Sequence, residues 1–221
     1  MYNPPLFREQ DRAIISEIIR NTRLATLVSN GQNGVPDISH LPLIYDENDG
    51  PYGSLLGHFA RANGHWKTIG SKAIAILAGP DAYVSPNWYP TKQEHHKHVP
   101  TWNYEVVHAT CSVEIFDDAA RLRDAVTRLT KRHEDHRADQ WTVEQAPEDY
   151  LASQFRAIVG VLLKIEQLEG KRKLSQNRAP EDRAGVRQAL AQSQDSMDRV
   201  VAARMEAVEA SKESTQASPR R

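Results

Sequence analysis

Between residues 22 and 116 the apolar positions fall repeatedly into short, β-branched runs, each closed by a turn signal. This pattern constrains the fold more than any other feature of the chain. Residues 22–30 (TRLATLVSN) form the first run, followed by Gly31 and by Asn33-Gly34, a pair that favours tight hairpins. Residues 35–46 read as the partner strand, with Pro36 and Pro42 bending it or keeping it near an edge. A second turn over 47–51 leads into a strand at 52–59, and a helical turn is expected over 61–69. Residues 73–78 form the most buried-looking run, 82–85 continue it beyond a Gly-Pro break, and 106–116 add another. Five or six strands joined mostly by turns imply an antiparallel sheet that curls into a barrel.

Helical spacing flanks this block. Isoleucines 14, 15, 18 and 19 lie on one face of a short helix ending at Asn21, and Leu122, Val126 and Leu129 mark another over 119–137, with Asp117 or Asp118 as its N-cap. Residues 156–168 read as a last buried strand in which Gly160 permits a close approach. From Glu181 to about Lys212 the apolar positions 186, 190, 197, 201, 205 and 208 make a narrow stripe on one long helix, with a frayed tail from Ser211. The expected class is α+β and mainly antiparallel, with a barrel domain over 1–180 and a C-terminal helical extension over 181–221.

Composition narrows the function classes. Lys and Arg number 28 against 29 Asp and Glu, a net charge of −1 that argues against a protein devoted to coating nucleic acid or an anionic membrane. Cys111 is the single cysteine, so neither an internal disulfide nor a cysteine zinc cluster can form. No run approaches the roughly 20 apolar residues that cross a bilayer, and the amino terminus mixes prolines with charges. A cytoplasmic protein without membrane contact is expected.

Three segments are dense in polar and aromatic groups. GHFARAN (57–63) offers His58, Arg61 and Asn63 at a strand end, a set suited to a phosphate, or else a surface arginine beside a structural histidine. GPDAYVSPNWY (79–89) offers Tyr83, Trp88 and Tyr89 as walls for a flat ring with Ser85 or Asn87 as donors, or else a minor core or subunit contact. VPTWNYEVV (99–107) opens a strand with Thr101, Trp102 and Asn103. Beyond these three, a later stretch, GKRKLSQNR (170–178), concentrates Lys171, Arg172, Lys173 and Arg178 with Ser175, Gln176 and Asn177, either an anion site or a solvated loop. His95, His96 and His98 read as an exposed loop, and His133 and His136 lack the i, i+4 zincin spacing, so no metal site is expected. The sequence contains no GxSxG elbow, Walker loop or GxGxxG, and the long terminal helix reads as a packing or dimerisation element.

Taken in order, SHLPL (39–43), GHFARAN, GPDAYVSPNWY, VPTWNY (99–104) and GKRKLSQNR, with Trp66, LTKRHE (129–134), Trp141 and DRAGV (182–186), resemble the PaiB-like family of FMN-binding negative transcriptional regulators. The resemblance spans roughly residues 1–190. It implies an FMN-binding split β-barrel, a homodimer with the flavin in a groove between subunits, and a regulatory role in which DNA contact is possible but not evident from these residues. It places the phosphate near His40, Leu41, His58, Arg61 and Asn63. Many relatives carry Arg and Lys where this chain has His40 and Asn63, leaving Lys67 or Lys173 to supply charge. The flavin ring or a second ligand would meet Ser85, Trp88, Tyr89, Thr101, Trp102 and Asn103, with Lys173, Ser175, Gln176 and Asn177 closing the pocket. The alternative on the same barrel is an enzyme, either a flavin oxidoreductase or a heme-binding, heme-degrading protein with His58 as axial ligand. Since a bound flavin carries its own chemistry, the lack of a catalytic signature does not decide between regulator and enzyme.

Overall fold

The computed structural model describes residues 1–31 and 34–217, the side chains of 95 and 211–217 excepted. Asn33 of the expected Asn-Gly turn and the last four residues of the expected frayed tail lie outside the described residues. Eight strands form one antiparallel sheet: β1 (Arg8–Glu9), β2 (Ala25–Ser29), β3 (Asp37–Leu41), β4 (Ile44–Asp46), β5 (Ser54–Ala60), β6 (Lys72–Val84), β7 (Thr101–Phe116) and β8 (Ile158–Lys173). Their order is β3-β2-β6-β7-β8-β5-β4, with β1 pairing the far end of β8. This is the α+β, mainly antiparallel class that the sequence implies.

By compactness the chain divides into two units, Asp11–Leu77 with Val107–Glu169, and Met1–Gln10 with Ala78–Val106 and Gly170–Arg221. In the first unit, helix α1 (Arg12–Asn21) begins at Asp11, whose carboxylate accepts the Ala13 amide, and buries Ile15, Ile18 and Ile19. These join Leu27, Leu41, Leu55, Phe59, Leu77, Val107 and Leu163 in the main core, the alternating inward residues of six strands. Cys111 sits in this core, where burial and then the Glu166 charge push its thiol pKa up to about 12. Helix α2 (His65–Thr68) is the expected turn between β5 and β6. Helix α4 (Ala119–Glu134) is capped by Asp118, which accepts the Arg121 amide. With α5 (Glu148–Arg156) it encloses a smaller core of Phe116, Leu122, Val143, Leu151 and Phe155. A Cβ on Gly160 would lie 2.2 Å from the Phe116 ring, so only glycine allows this seat.

The second unit contains α3 (Lys92–His95), α6 (Pro180–Ala191) and α7 (Ser196–Ala217). Its core sets Ala82, Val84, Tyr89 and Leu174 against Val186, Leu190, Val201 and Met205.

Four details depart from the sequence reading. The single strand expected over 35–46 is two, β3 on β2 and β4 on β5, because the chain changes partner at Pro42. The two runs around Gly79-Pro80 are one strand whose buried side switches from odd (Ala73, Ala75, Leu77) to even positions (Ala82, Val84). Helix α5 has no counterpart in the expected elements. The single terminal helix is a hairpin instead. Ser193 accepts the Asp195 amide and Asp195 accepts the Met197 amide, so these side chains start α7 afresh. Arg199 then donates to the Ser193 and Gln194 carbonyls at the end of α6. The stripe read as one face is thus two faces that pack on each other.

Candidate functional site

In the first unit the expected phosphate residues are held mainly by their own protein partners. Arg61 donates from Nε to the Arg156 carbonyl at 2.8 Å and from Nη2 to the Ile158 carbonyl at 3.0 Å, fastening the end of α5 to β8. Asn63 donates to Ser39 Oγ at 3.0 Å and accepts the His65 amide at 3.0 Å. His65 is 6% exposed, with Nδ1 2.8 Å from Ser39 Oγ and Nε2 3.0 Å from Ser29 Oγ. Leu41 is core, and exposed His40 contacts Thr26 across the strand pair at 3.1 Å. His58 lies on β5 opposite Gly160, with Nδ1 buried and making no hydrogen bond among the described residues.

Burial lowers the pKa of His58, His65 and His108 from the ordinary 6.5, although the Asp37 charge opposes this at His65 and Glu169 at His108. The folded state therefore binds fewer protons than the unfolded chain just below that value. Their contribution to stability is complete above about pH 6.5 and is lost as pH falls through the lowered values. Melting temperature is expected to drop between about pH 7.5 and 5.5, with part of that slope removed in His65→Gln. A flat profile would show that these rings carry no such linkage.

The second unit separates its two faces by the strand pleat. On β7 and β8, Asn103, Glu105 and Arg172 point one way, and Trp102, Tyr104, Lys171 and Lys173 the other. On the first side Glu105, 2% exposed, accepts from Arg172 Nε at 2.6 Å, and its other oxygen lies 3.5 Å from Arg204 Nε of α7. Glu9 lies 3.4 Å from the same Arg172 guanidinium. Fully buried Asn103 exchanges hydrogen bonds with Ser175, which takes a left-handed φ of 64°. Gln176 accepts the Leu174 amide and donates to the Arg172 carbonyl, closing this turn. Ser85 accepts the Asn87 amide. Tyr89 is 2% exposed beneath the Arg178 guanidinium, 4.9 Å from its ring centre. Trp88 is partly buried against this core and Asn177 is exposed. His98, which the sequence assigns to an exposed loop, is seated by Thr91 Oγ1 at 2.8 Å, and Thr91 donates in turn to Asp182.

The other side is different in kind. Trp102 and Tyr83 are 53% and 46% exposed and meet edge to face at 6.1 Å. Lys171 donates to the Tyr2 carbonyl and lies over the Tyr104 ring at 5.0 Å. Lys173 Nζ donates to Thr101 Oγ1 at 2.6 Å and to the Trp102 carbonyl, both neutral acceptors. Burial, and then the Lys171 and Arg178 charges, lower its pKa below the usual lysine value. A cation kept among cations, with exposed aromatic rings beside it, is arranged to receive an anion attached to a flat ring. Tyr104 was not singled out in the sequence, although period-two alternation from Trp102 would have found it.

Residues 1–167 match a family model described as "Putative FMN-binding domain". The chain is also 31% identical over 192 residues to protease synthase and sporulation protein PAI 2 of Bacillus subtilis (strain 168), covering 86% of this chain and 89% of that protein. The chain belongs to the PaiB-like FMN-binding family. Its cofactor is accordingly FMN, and the eight-stranded sheet is that of the split-barrel class. Among solved structures, the flavocytochrome Anf3 from Azotobacter vinelandii has a TM-score of 0.58 at 17% identity, over 80% of this chain and 75% of that one. The FAD and heme binding protein from Mycobacterium smegmatis has a TM-score of 0.56 at 16% identity, over 80% and 78%. At these identities the likeness concerns the fold. Among the described residues of this FMN-binding protein, no helix is long and apolar enough to cross a membrane, and no three His, Cys, Asp or Glu side chains gather to hold a metal ion.

Proposed function

We propose that this FMN-binding protein is a homodimeric transcriptional regulator in which flavin occupancy or redox state sets activity. The observation that carries the cofactor site is Lys173, half-buried, bonded among the described residues only to neutral acceptors, and flanked by Lys171 and Arg178. In this reading Lys173, with Arg178 and Thr101, receives the FMN phosphate, and Trp102 with Tyr83 flanks the ring. A dianionic phosphate removed from water needs such cations. Asn103, Ser175 and Gln176 position this turn from behind and do not touch the cofactor. When bound, the flavin supplies one- and two-electron redox chemistry, and the protein contributes binding and orientation. Regulation then requires that flavin-free and flavin-bound forms differ in affinity for a partner.

The dimer reading is supported by uncovered apolar surface. In the first unit Ile38 and Ile74 are 58% and 40% exposed, both cross-strand neighbours of Val28 on the outer face of β2, β3 and β6. A contiguous apolar sheet face of this kind is what a second copy would cover.

One observation favours a second reading. His58 carries a buried Nδ1 that makes no hydrogen bond among the described residues, and burial lowers its pKa, which favours the neutral imidazole that an axial heme ligand requires. A single titration separates the two. Protein given FMN, then hemin, is passed through gel filtration, and absorbance and sedimentation are recorded. Flavin bands retained at dimer mass are expected. A Soret band lost in His58→Ala, with no flavin retained, would select the heme reading.

A further inference from the structure

The sequence places Tyr89 in the wall of a flat-ring site, but the residue is 2% exposed within the core of the second unit. At that burial it has no open face to offer a cofactor ring. What lies over it is the Arg178 guanidinium, 4.9 Å from the ring centre. The groups around Tyr89 are firmly held. Its ring lies 4.8 Å from the His98 ring, and His98 Nε2 is 2.8 Å from Thr91 Oγ1. Thr91 donates its amide and its hydroxyl to Asp182, at 3.2 Å and 2.8 Å, and Asp182 is 2% exposed in the first turn of α6. A buried carboxylate satisfied in this way fixes the segment that carries Tyr89.

Arg178 is fixed at its backbone too. Its amide donates to the Ser175 carbonyl at 2.9 Å, and its carbonyl accepts from Arg183 Nη1 at 2.9 Å. The side chain is the remaining freedom, and an arginine that orders only when a ligand arrives subtracts that entropy from the affinity. An aromatic face removes part of this cost, because the ring quadrupole attracts a guanidinium, most strongly where water is excluded. We infer that Tyr89 is a positioning residue for FMN: its ring holds the Arg178 guanidinium in place for the phosphate, and thereby favours phosphorylated flavin over flavin that lacks the group. This rests on the phosphate site proposed above. Tyr89 itself touches no part of the cofactor, so its influence is confined to the phosphate.

The test compares FMN with riboflavin, which has the same ring and no phosphate, by flavin fluorescence titration of the full-length protein. Tyr89→Phe keeps the ring face, and FMN affinity is expected to stay within about twofold. Pentafluorophenylalanine at position 89 keeps nearly the same shape but reverses the sign of the ring face. FMN affinity should then fall about three- to tenfold, while riboflavin affinity stays within about twofold. Arg178→Met should weaken FMN binding further and abolish the difference between the two rings, since the group that they position is gone. Equal FMN affinity with both rings, or a loss shared by riboflavin, would overturn the role of Tyr89 while leaving the phosphate site intact. Unchanged FMN affinity in Arg178→Met would instead remove Arg178 from that site, and the inference with it.

Discussion

Replacing Glu105 with alanine is expected to lower folding stability by about 3–5 kcal/mol, because it leaves a buried guanidinium without its main counter-charge. Arg172 is 5% exposed and keeps only Glu9, at 3.4 Å, once the 2.6 Å contact to Glu105 is gone. Arg204 loses its contact to Glu105 as well, but its side chain is 23% exposed and water replaces much of that interaction. Arg204→Ala should therefore cost far less, within about 1 kcal/mol. Urea unfolding of the flavin-free protein measures both. The double variant Glu105→Leu with Arg172→Met should recover much of the loss, since an apolar pair of similar volume has no desolvation penalty to offset. A loss under about 1 kcal/mol for Glu105→Ala would mean that water reaches Arg172 and that the network is not the fastening described.

Lys173→Met is expected to weaken FMN binding about 10- to 100-fold while leaving the flavin-free protein as stable as before, or slightly more so. The two halves have one cause. In the free protein Lys173 is desolvated and repelled by Lys171 and Arg178, with only neutral acceptors nearby, so its removal relieves an unfavourable arrangement. Binding of a phosphate reverses the balance, and the charge is then missed. Flavin fluorescence titration and thermal melts of the same sample read the two quantities. Arg61→Ala is the contrast. Its guanidinium holds the carbonyls of Arg156 and Ile158, so any lost affinity should come with lost stability. If Lys173→Met keeps full FMN affinity, the phosphate lies elsewhere and the aromatic pair loses its assigned ligand.

Much of the architecture was legible from periodicity. The isoleucine face of α1, the alternation along β7 and the Asp118 cap of α4 are local effects, decided by side-chain spacing and by single residues. What went unread needed distant contacts. Residues 181–212 have helical spacing throughout, and only the interlocked side chains of Ser193, Asp195 and Arg199 turn one rod into a hairpin. Helix α5 went unread too; its buried face amounts to Leu151 and Phe155. The candidate site followed the same division. Polar segments were visible as polar segments, but residues such as Asn103, Ser175 and Gln176 satisfy one another, which no spacing rule reports.

The amino-acid sequence by itself determined the class of sheet, the membership in an FMN-binding family and the segments that gather cations and aromatic rings. Only the tertiary structure decided which cation is available. Arg172 and Lys173 are neighbours in the chain, and nothing in their order distinguishes them. The pleat of β8 sends the first inward onto the carboxylates of Glu105 and Glu9 and the second outward to a hydroxyl and a carbonyl, beside exposed Trp102.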